Sequence, residues 1–184
     1  ALLDQVLAGL EAAHAAGVLH RDLKPENLHI LPADGGGPPR VKILDFGLAK
    51  FRDRETTDPK SRTTTGVALG TFGYMSPEQL FGREVDERAD VYSVGVVALE
   101  SLTGRVPVRG EYFHYAVDSA VEERLVRRAV TESQRALATV MTRALAQDPE
   151  SRYATMAELR AALIPAIRSC EPPFAGATGG SPPA

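Results

Sequence analysis

The chain has 184 residues, with 21 basic and 24 acidic side chains and a formal net charge of −3. That length suits one domain burying roughly 70% of its unfolded surface, and 43% hydrophobic residues is ordinary for a soluble globular fold. No basic stripe supports nucleic-acid binding, no apolar run reaches the ~20 residues of a membrane span, and the single cysteine, Cys170, excludes an internal disulfide framework and fits a reducing compartment.

Leu3, Val6, Leu7 and Leu10 recur at helical spacing, with Asp4 among them, so the start reads as a helix and not as a signal peptide. ALLDQVL has no initiator methionine and reads as a cut through a longer chain. Gly17 can close this helix in the left-handed conformation. HRDLKPENL follows at residues 20–28, setting Arg21, Asp22, Lys24 and Asn27 among Leu19, Leu23, Pro25 and Leu28. It is too charged for a core strand and too apolar for an ordinary surface loop. Leu28–Leu31 and Val41–Leu44 are short apolar runs suited to pairing as strands across the Gly/Pro-rich PADGGGPPR. Its three glycines are not read as a phosphate cradle, because no Lys-Ser/Thr and no helix follow them.

Residues 51–69 are polar, rich in Thr and Arg, and without periodicity. Irregular stretches of that length inside a compact domain are functional or mobile. In SPEQ, Ser76 can cap a helix, Pro77 suits its first position and Gln79 can reach back to the cap. ADVYSVGVVALESL, residues 89–102, is apolar on nearly every face and predicts a helix buried all round. Thr131–Gln134 and Thr155–Glu158 repeat the capping-box pattern and open two further helices. His14 and His114 are read as surface or packing residues. The stretch after Cys170, EPPFAGATGGSPPA, reads as a linker. The expected organisation is a domain over residues 1–168 and a tail over 169–184, with no internal repeats.

Phosphoryl transfer needs a group that orients the attacking hydroxyl and takes its proton. It needs oxygen ligands to hold magnesium against the phosphates, and a cation to offset charge on the transferring group. HRDLKPEN supplies a carboxylate, a cation and an amide; DFG, residues 45–47, supplies a second carboxylate just after the second strand. Together with SPE (76–78), DVYSVG (90–95) and DPESRY (148–153), these residues resemble the eukaryotic-type protein kinase family in its bacterial style. The resemblance covers about residues 1–168. It implies a mainly α C-terminal kinase lobe, a helical bundle with a short β-hairpin carrying the catalytic and metal-binding loops.

On that resemblance Asp22 is the catalytic base, Asn27 and Asp45 hold Mg2+, and Lys24 contacts the γ-phosphate of ATP. Lys24 and Thr71, in GTFGYMSPE, resemble the serine/threonine-specific members, so the substrates are protein Ser/Thr hydroxyls. Asp90 matches a buried aspartate holding the catalytic-loop backbone. Glu78 and Arg152 match an ion pair tying the activation segment to later helices, and His20, Phe46 and Gly47 are structural, the first two as members of a hydrophobic spine. Ser76 departs from the family's A-P-E, and His29 stands where relatives carry an aliphatic residue under the adenine.

Arg21, with Lys50, is expected to pair with a phosphate on Thr63 or Thr65 of RTTTG. Two other readings compete. A small-molecule phosphotransferase shares the carboxylates but lacks the long segment and SPE helix of residues 45–78. A pseudokinase or docking domain is favoured by His29 and opposed by the intact Asp22, Asn27 and Asp45. The expected location is the cytoplasm, with any membrane anchor beyond residue 184. Only 19 residues precede His20, with no lysine and no G-x-G-x-x-G, so the family's first lobe is expected to be a missing partner. Its docking surface, including His20 and Phe46, is expected to be exposed.

Overall fold

The computed structural model describes residues 2–33, 36–46, 71–104, 126, 129 and 131–170. Helix α1 (Leu2–Ala15) buries Val6, Leu7 and Leu10. It ends where Gly17 takes φ 74°, with the Gly17 N–H donating to the His14 carbonyl and the Val18 N–H to the Ala13 carbonyl. Two short strands follow the HRDLKPEN loop. Strand β1 (Leu28–Leu31) pairs antiparallel with β2 (Arg40–Ile43), in a register running from Leu28↔Ile43 to Leu31↔Arg40. The second strand starts and stops one residue earlier than its apolar run suggests. Leu44 leaves the ladder because its N–H donates to the Asn27 carbonyl and its carbonyl accepts from the His20 ring. Gln5 of α1 acts on the outer edge of β2 like a peptide group, donating to the Pro39 carbonyl and accepting from the Val41 N–H, both at 3.0 Å. An otherwise open strand edge is thereby satisfied by a helix side chain.

The single-turn α2 (Pro77–Leu80) follows its Ser76 cap. The long α3 (Arg88–Thr103) is buried at every position from Ala89 to Leu99, the helix enclosed all round that its sequence predicts. It stops at Gly104, whose φ of 69° lets its N–H return to the Glu100 carbonyl at 2.7 Å. Helix α4 (Glu132–Ala144) opens on a full capping box: the Gln134 N–H donates to Thr131 Oγ1, and the Thr131 N–H to Gln134 Oε1. Helix α5 (Met156–Ser169) is capped by Thr155, which accepts from the Glu158 N–H. The reciprocal arm differs from the expected box. Glu158 accepts from the Ala154 N–H instead, one residue further back.

The helices share one core, in which Leu7, Leu10, Leu99, Leu137, Met141 and Leu159 are fully buried. Arg160 of α5 donates to Asp4 at 2.8 Å and to Glu11 at 3.3 Å, stitching α5 to α1 at the surface. Such exposed pairs add little to stability, and apolar burial of roughly 25 cal/mol per Å2 does most of the holding. Among the described residues no helix is long and apolar enough to cross a membrane.

One expectation is corrected. His20 is not exposed; its relative exposure is 0%, and Phe46 is half-buried. The His20 ring is drawn inward by its bond to the Leu44 carbonyl and covered by Phe46, whose centroid lies 4.8 Å away. The apolar groups that face outward at this end are Ile30 and Leu31 of β1, 60% and 38% exposed.

Two helical glycines sit against neighbours in different ways. A Cβ at Gly95 would lie 2.9 Å from Leu145 Cδ2 and 3.2 Å from its Cγ, inside a closed core. A Cβ at Gly9 would press only on the terminal Cδ1 of Ile43 at 2.9 Å, with its Cγ1 at an ordinary 3.9 Å, and Ile43 is not fully buried. Alanine gains up to ~1 kcal/mol of helix propensity, while overpacking a closed core costs about 1–3 kcal/mol. Gly95→Ala should therefore lower the thermal midpoint, and Gly9→Ala should leave it nearly unchanged or raise it. Calorimetry of the two variants side by side checks the order.

Candidate active site

The site is assembled on the segment between α1 and β1. Arg21 lies at φ 64°, a conformation that costs a non-glycine residue roughly 1 kcal/mol or more. Two groups from distant helices impose it. Asp90, 1% exposed on α3, accepts the His20 N–H at 2.7 Å and the Arg21 N–H at 2.8 Å. Gln79 of α2 donates to the Arg21 carbonyl at 2.7 Å.

The loop then sets out its polar groups. Lys24 Nζ donates to Asp22 Oδ2 at 3.1 Å, and both side chains remain partly open to solvent. Asn27 is buried, its Nδ2 donating to the Asp22 carbonyl at 2.8 Å. That bond fixes the carboxamide, leaving Oδ1 as its acceptor for a ligand. The Leu44 carbonyl can only accept, so the proton on His20 sits on Nε2. The other ring nitrogen, Nδ1, accepts the Asp22 N–H at 3.3 Å. One imidazole thus links the backbone of Asp22 to the residue before Asp45. Asp45 itself is exposed, at φ 54°.

A second anchor lies beneath α2. Arg152 donates to Glu78 through Nη1 at 2.7 Å and Nη2 at 2.8 Å. Its other donors reach the carbonyls of Ala146, Arg88 and Gln147. All five guanidinium protons are used, in a side chain with 0% exposure. Burial pushes the Glu78 carboxyl up; the Arg152 bonds and charge and a backbone hydrogen bond outweigh it and hold the group below the usual carboxylate range. The turn Thr71–Tyr74, just ahead of this anchor, is tied to α3. Tyr74 donates to Glu100 Oε2 at 2.7 Å, and its carbonyl accepts from Ser93 Oγ. Burial first, then that bond and the charge of Glu100, push the Tyr74 phenol up.

Asp22, Lys24, Asn27, His20, Phe46 and Asp90 therefore meet around one loop, and Glu78 meets Arg152. His29 lies on the exposed side of β1, opposite Lys42 in the ladder. Thr71 opens the turn before Ser76. Gly47, Lys50, Thr63, Thr65, His114 and residues 171–184 lie outside the described residues. Two participants escape sequence reasoning. His14, read as surface or packing, has a side chain only 5% exposed and its Nε2 lies 2.8 Å from Asp90 Oδ2. Gln79 was legible only as a capping residue. Neither bond has a sequence signal, because its partners stand 76 and 58 residues apart.

A family model described as protein kinase domain matches residues 1–163. The chain belongs to the protein kinase family. Among curated relatives it is 43% identical over 171 residues to the serine/threonine-protein kinase Pkn1 of Myxococcus xanthus, covering 90% of this chain and 24% of that protein. It is 40% identical over 172 residues to PknB of Mycobacterium leprae, covering 90% and 25%. The chain thus falls in the bacterial-style serine/threonine branch and spans about a quarter of the length of these relatives. A crystal structure of the PknI kinase domain of Mycobacterium tuberculosis superposes with a TM-score of 0.57 at 24% identity, over 90% of this chain and 53% of that one; that likeness bears on the fold.

Because Glu78 is held below its unfolded value, its contribution to stability is complete above the ordinary glutamate range. It is lost as the pH falls through the depressed folded value. Glu78→Gln should leave part of a buried guanidinium unpaired and cost roughly 3–5 kcal/mol at neutral pH. It should also flatten the loss of stability below about pH 5. Urea unfolding from pH 3 to 7 reads both effects, and an unaltered acid limb would count against the linkage.

Proposed function

We propose that this chain is the catalytic C-terminal lobe of a protein kinase that transfers the γ-phosphate of ATP to serine and threonine hydroxyls of proteins. The observation that carries the reading is the loop itself. Asp22 is open to solvent beside Lys24, on a backbone whose unusual conformation is enforced from two helices. A carboxylate so placed accepts the proton of an incoming hydroxyl as its oxygen bonds to the γ-phosphorus and the bond to ADP breaks. Lys24 offsets charge on the transferring group. Asn27 Oδ1 and the Asp45 carboxylate would supply oxygen ligands of the kind Mg2+ takes together with phosphates. When bound, Mg2+ neutralises charge on those phosphates.

We further infer that His29 lines the adenine site, and that Thr63 or Thr65, once phosphorylated, pairs with Arg21 and Lys50. Residues 1–184 contain no glycine-rich phosphate loop and no lysine before Lys24. The chain alone would then leave half of the phosphate contacts unmade and water in the site.

In the full-length protein, Asp22→Asn should lower the transfer rate by roughly 10²–10⁴-fold while ATP binding persists. Asp45→Asn should instead weaken magnesium-dependent nucleotide binding. Parallel ATP titrations and phosphotransfer assays separate the two, and wild-type rates in both variants would sink the assignment. Phosphoamino-acid analysis should return phosphoserine and phosphothreonine. Residues 1–184 expressed alone should show no Asp22-dependent transfer; robust transfer would mean that the first lobe is dispensable.

A further inference from the structure

Gln79 is more than the cap of a four-residue helix. Its Oε1 accepts from the Ser76 N–H and from Ser76 Oγ, both at 3.1 Å. Its Nε2 points the other way and donates to the Arg21 carbonyl at 2.7 Å. The carboxamide therefore spans two segments, with its acceptor spent on the start of α2 and a donor spent on the loop that carries Asp22. The loop end of this bridge matters because Arg21 is held at φ 64°. Asp90 fixes the N–H side of that residue, and Gln79 fixes its carbonyl, which belongs to the peptide leading into Asp22. Without Gln79 the Arg21 carbonyl loses its 2.7 Å bond, and the long 3.3 Å bond from the Asp22 N–H to His20 Nδ1 restrains the peptide between Arg21 and Asp22 less firmly against a rotation that relaxes the strain. A turn of that peptide would redirect the Asp22 side chain. The α2 end is itself fixed, because the neighbouring Glu78 is locked to the buried Arg152.

We propose that Gln79 is a positioning residue for phosphotransfer: its carboxamide couples the Ser76–Leu80 turn to the Arg21 carbonyl and so aims Asp22 at the substrate hydroxyl. The inference rests on the kinase reading given above and adds to it a route by which the order of the segment ending at Ser76 reaches the base. Any displacement of α2 from Arg152 withdraws the Gln79 donor from the loop, so the base is aimed only while that segment is seated.

The chemistry of the two ends allows them to be separated. Gln79→Glu keeps an oxygen for the Ser76 N–H, the ordinary partner of a capping box. It loses the donor and sets a carboxylate oxygen against the Arg21 carbonyl. Ser76→Ala does the reverse, removing the Oγ bond to Oε1 and a hydrogen bond to the Glu78 carboxylate, which keeps its two Arg152 bonds, and leaving the donor to Arg21 in place. Both are made in the full-length protein, with kcat, the KM for magnesium-ATP and the thermal midpoint measured above pH 7. Gln79→Glu is expected to lower kcat about tenfold, the loss of one positioning hydrogen bond in the transition state. Its KM for ATP should stay unchanged and its midpoint no lower than that of Ser76→Ala. Ser76→Ala is expected to lose stability and keep kcat. Wild-type kcat in Gln79→Glu would overturn the proposal while leaving the kinase reading intact. So would a fall in kcat that follows the thermal midpoint across both variants. An inactive parent protein would overturn the kinase reading and this inference with it.

Discussion

A carboxylate buried in the first turn of a helix is costly unless its oxygens are filled, and Asp90 fills them with the backbone of another segment. Two N–H groups of the loop, at His20 and Arg21, and the ring of His14 converge on it. The exchange works in both directions. The charge is compensated by directed donors, and the loop is held at a backbone conformation it would not adopt alone. Local propensity does not favour φ 64° at an arginine. The shape of the HRDLKPEN loop is therefore a property of α3 and α2 more than of the loop.

Arg152 plays the matching part below α2. Its five donors join α2, the first residue of α3 and the stretch between α4 and α5 into one rigid block. Its guanidinium also lies 4.9 Å from the Tyr92 ring centre, a stacking that suits the planar cation. Replacing the network by hydrocarbon could be neutral for stability. What hydrocarbon lacks is direction, since only a fork of donors fixes α2 at the angle that carries Gln79 to the Arg21 carbonyl. The two buried charges are thus registration devices, and α3, buried from Ala89 to Leu99, is their common frame.

Above this frame the chemistry is open. Asp22 and Lys24 are partly solvated and Asp45 is exposed, while the groups that orient them, Asn27, His20 and Asp90, are buried. On the proposed roles, reactive groups on the outside and orienting groups on the inside would allow a substrate to approach without loosening what aims the proposed base. Ile30 and Leu31, successive residues of β1 that point to opposite faces of the hairpin, add exposed apolar surface. That surface fits the proposal that a further lobe completes the nucleotide site.

How much of this was legible beforehand follows from the range of each interaction. Helix starts and stops were readable because caps and left-handed glycines act within a few residues: Gly17, Ser76, Thr131 and Thr155 mark ends that exist, and the enclosed α3 follows from a run with no polar face. The motif residues were recognisable because the family spells them contiguously. Glu78 with Arg152, and Asp90 with the loop, could be paired only through that resemblance, since nothing in spacing links residues some seventy positions apart. The burial of His20, the edge role of Gln5 and the bonds of His14 and Gln79 were decided by packing alone. Each depends on where a side chain from one helix meets the backbone of another element. That meeting is set by how the helices settle around a shared core, and the order of residues along the chain does not encode it locally.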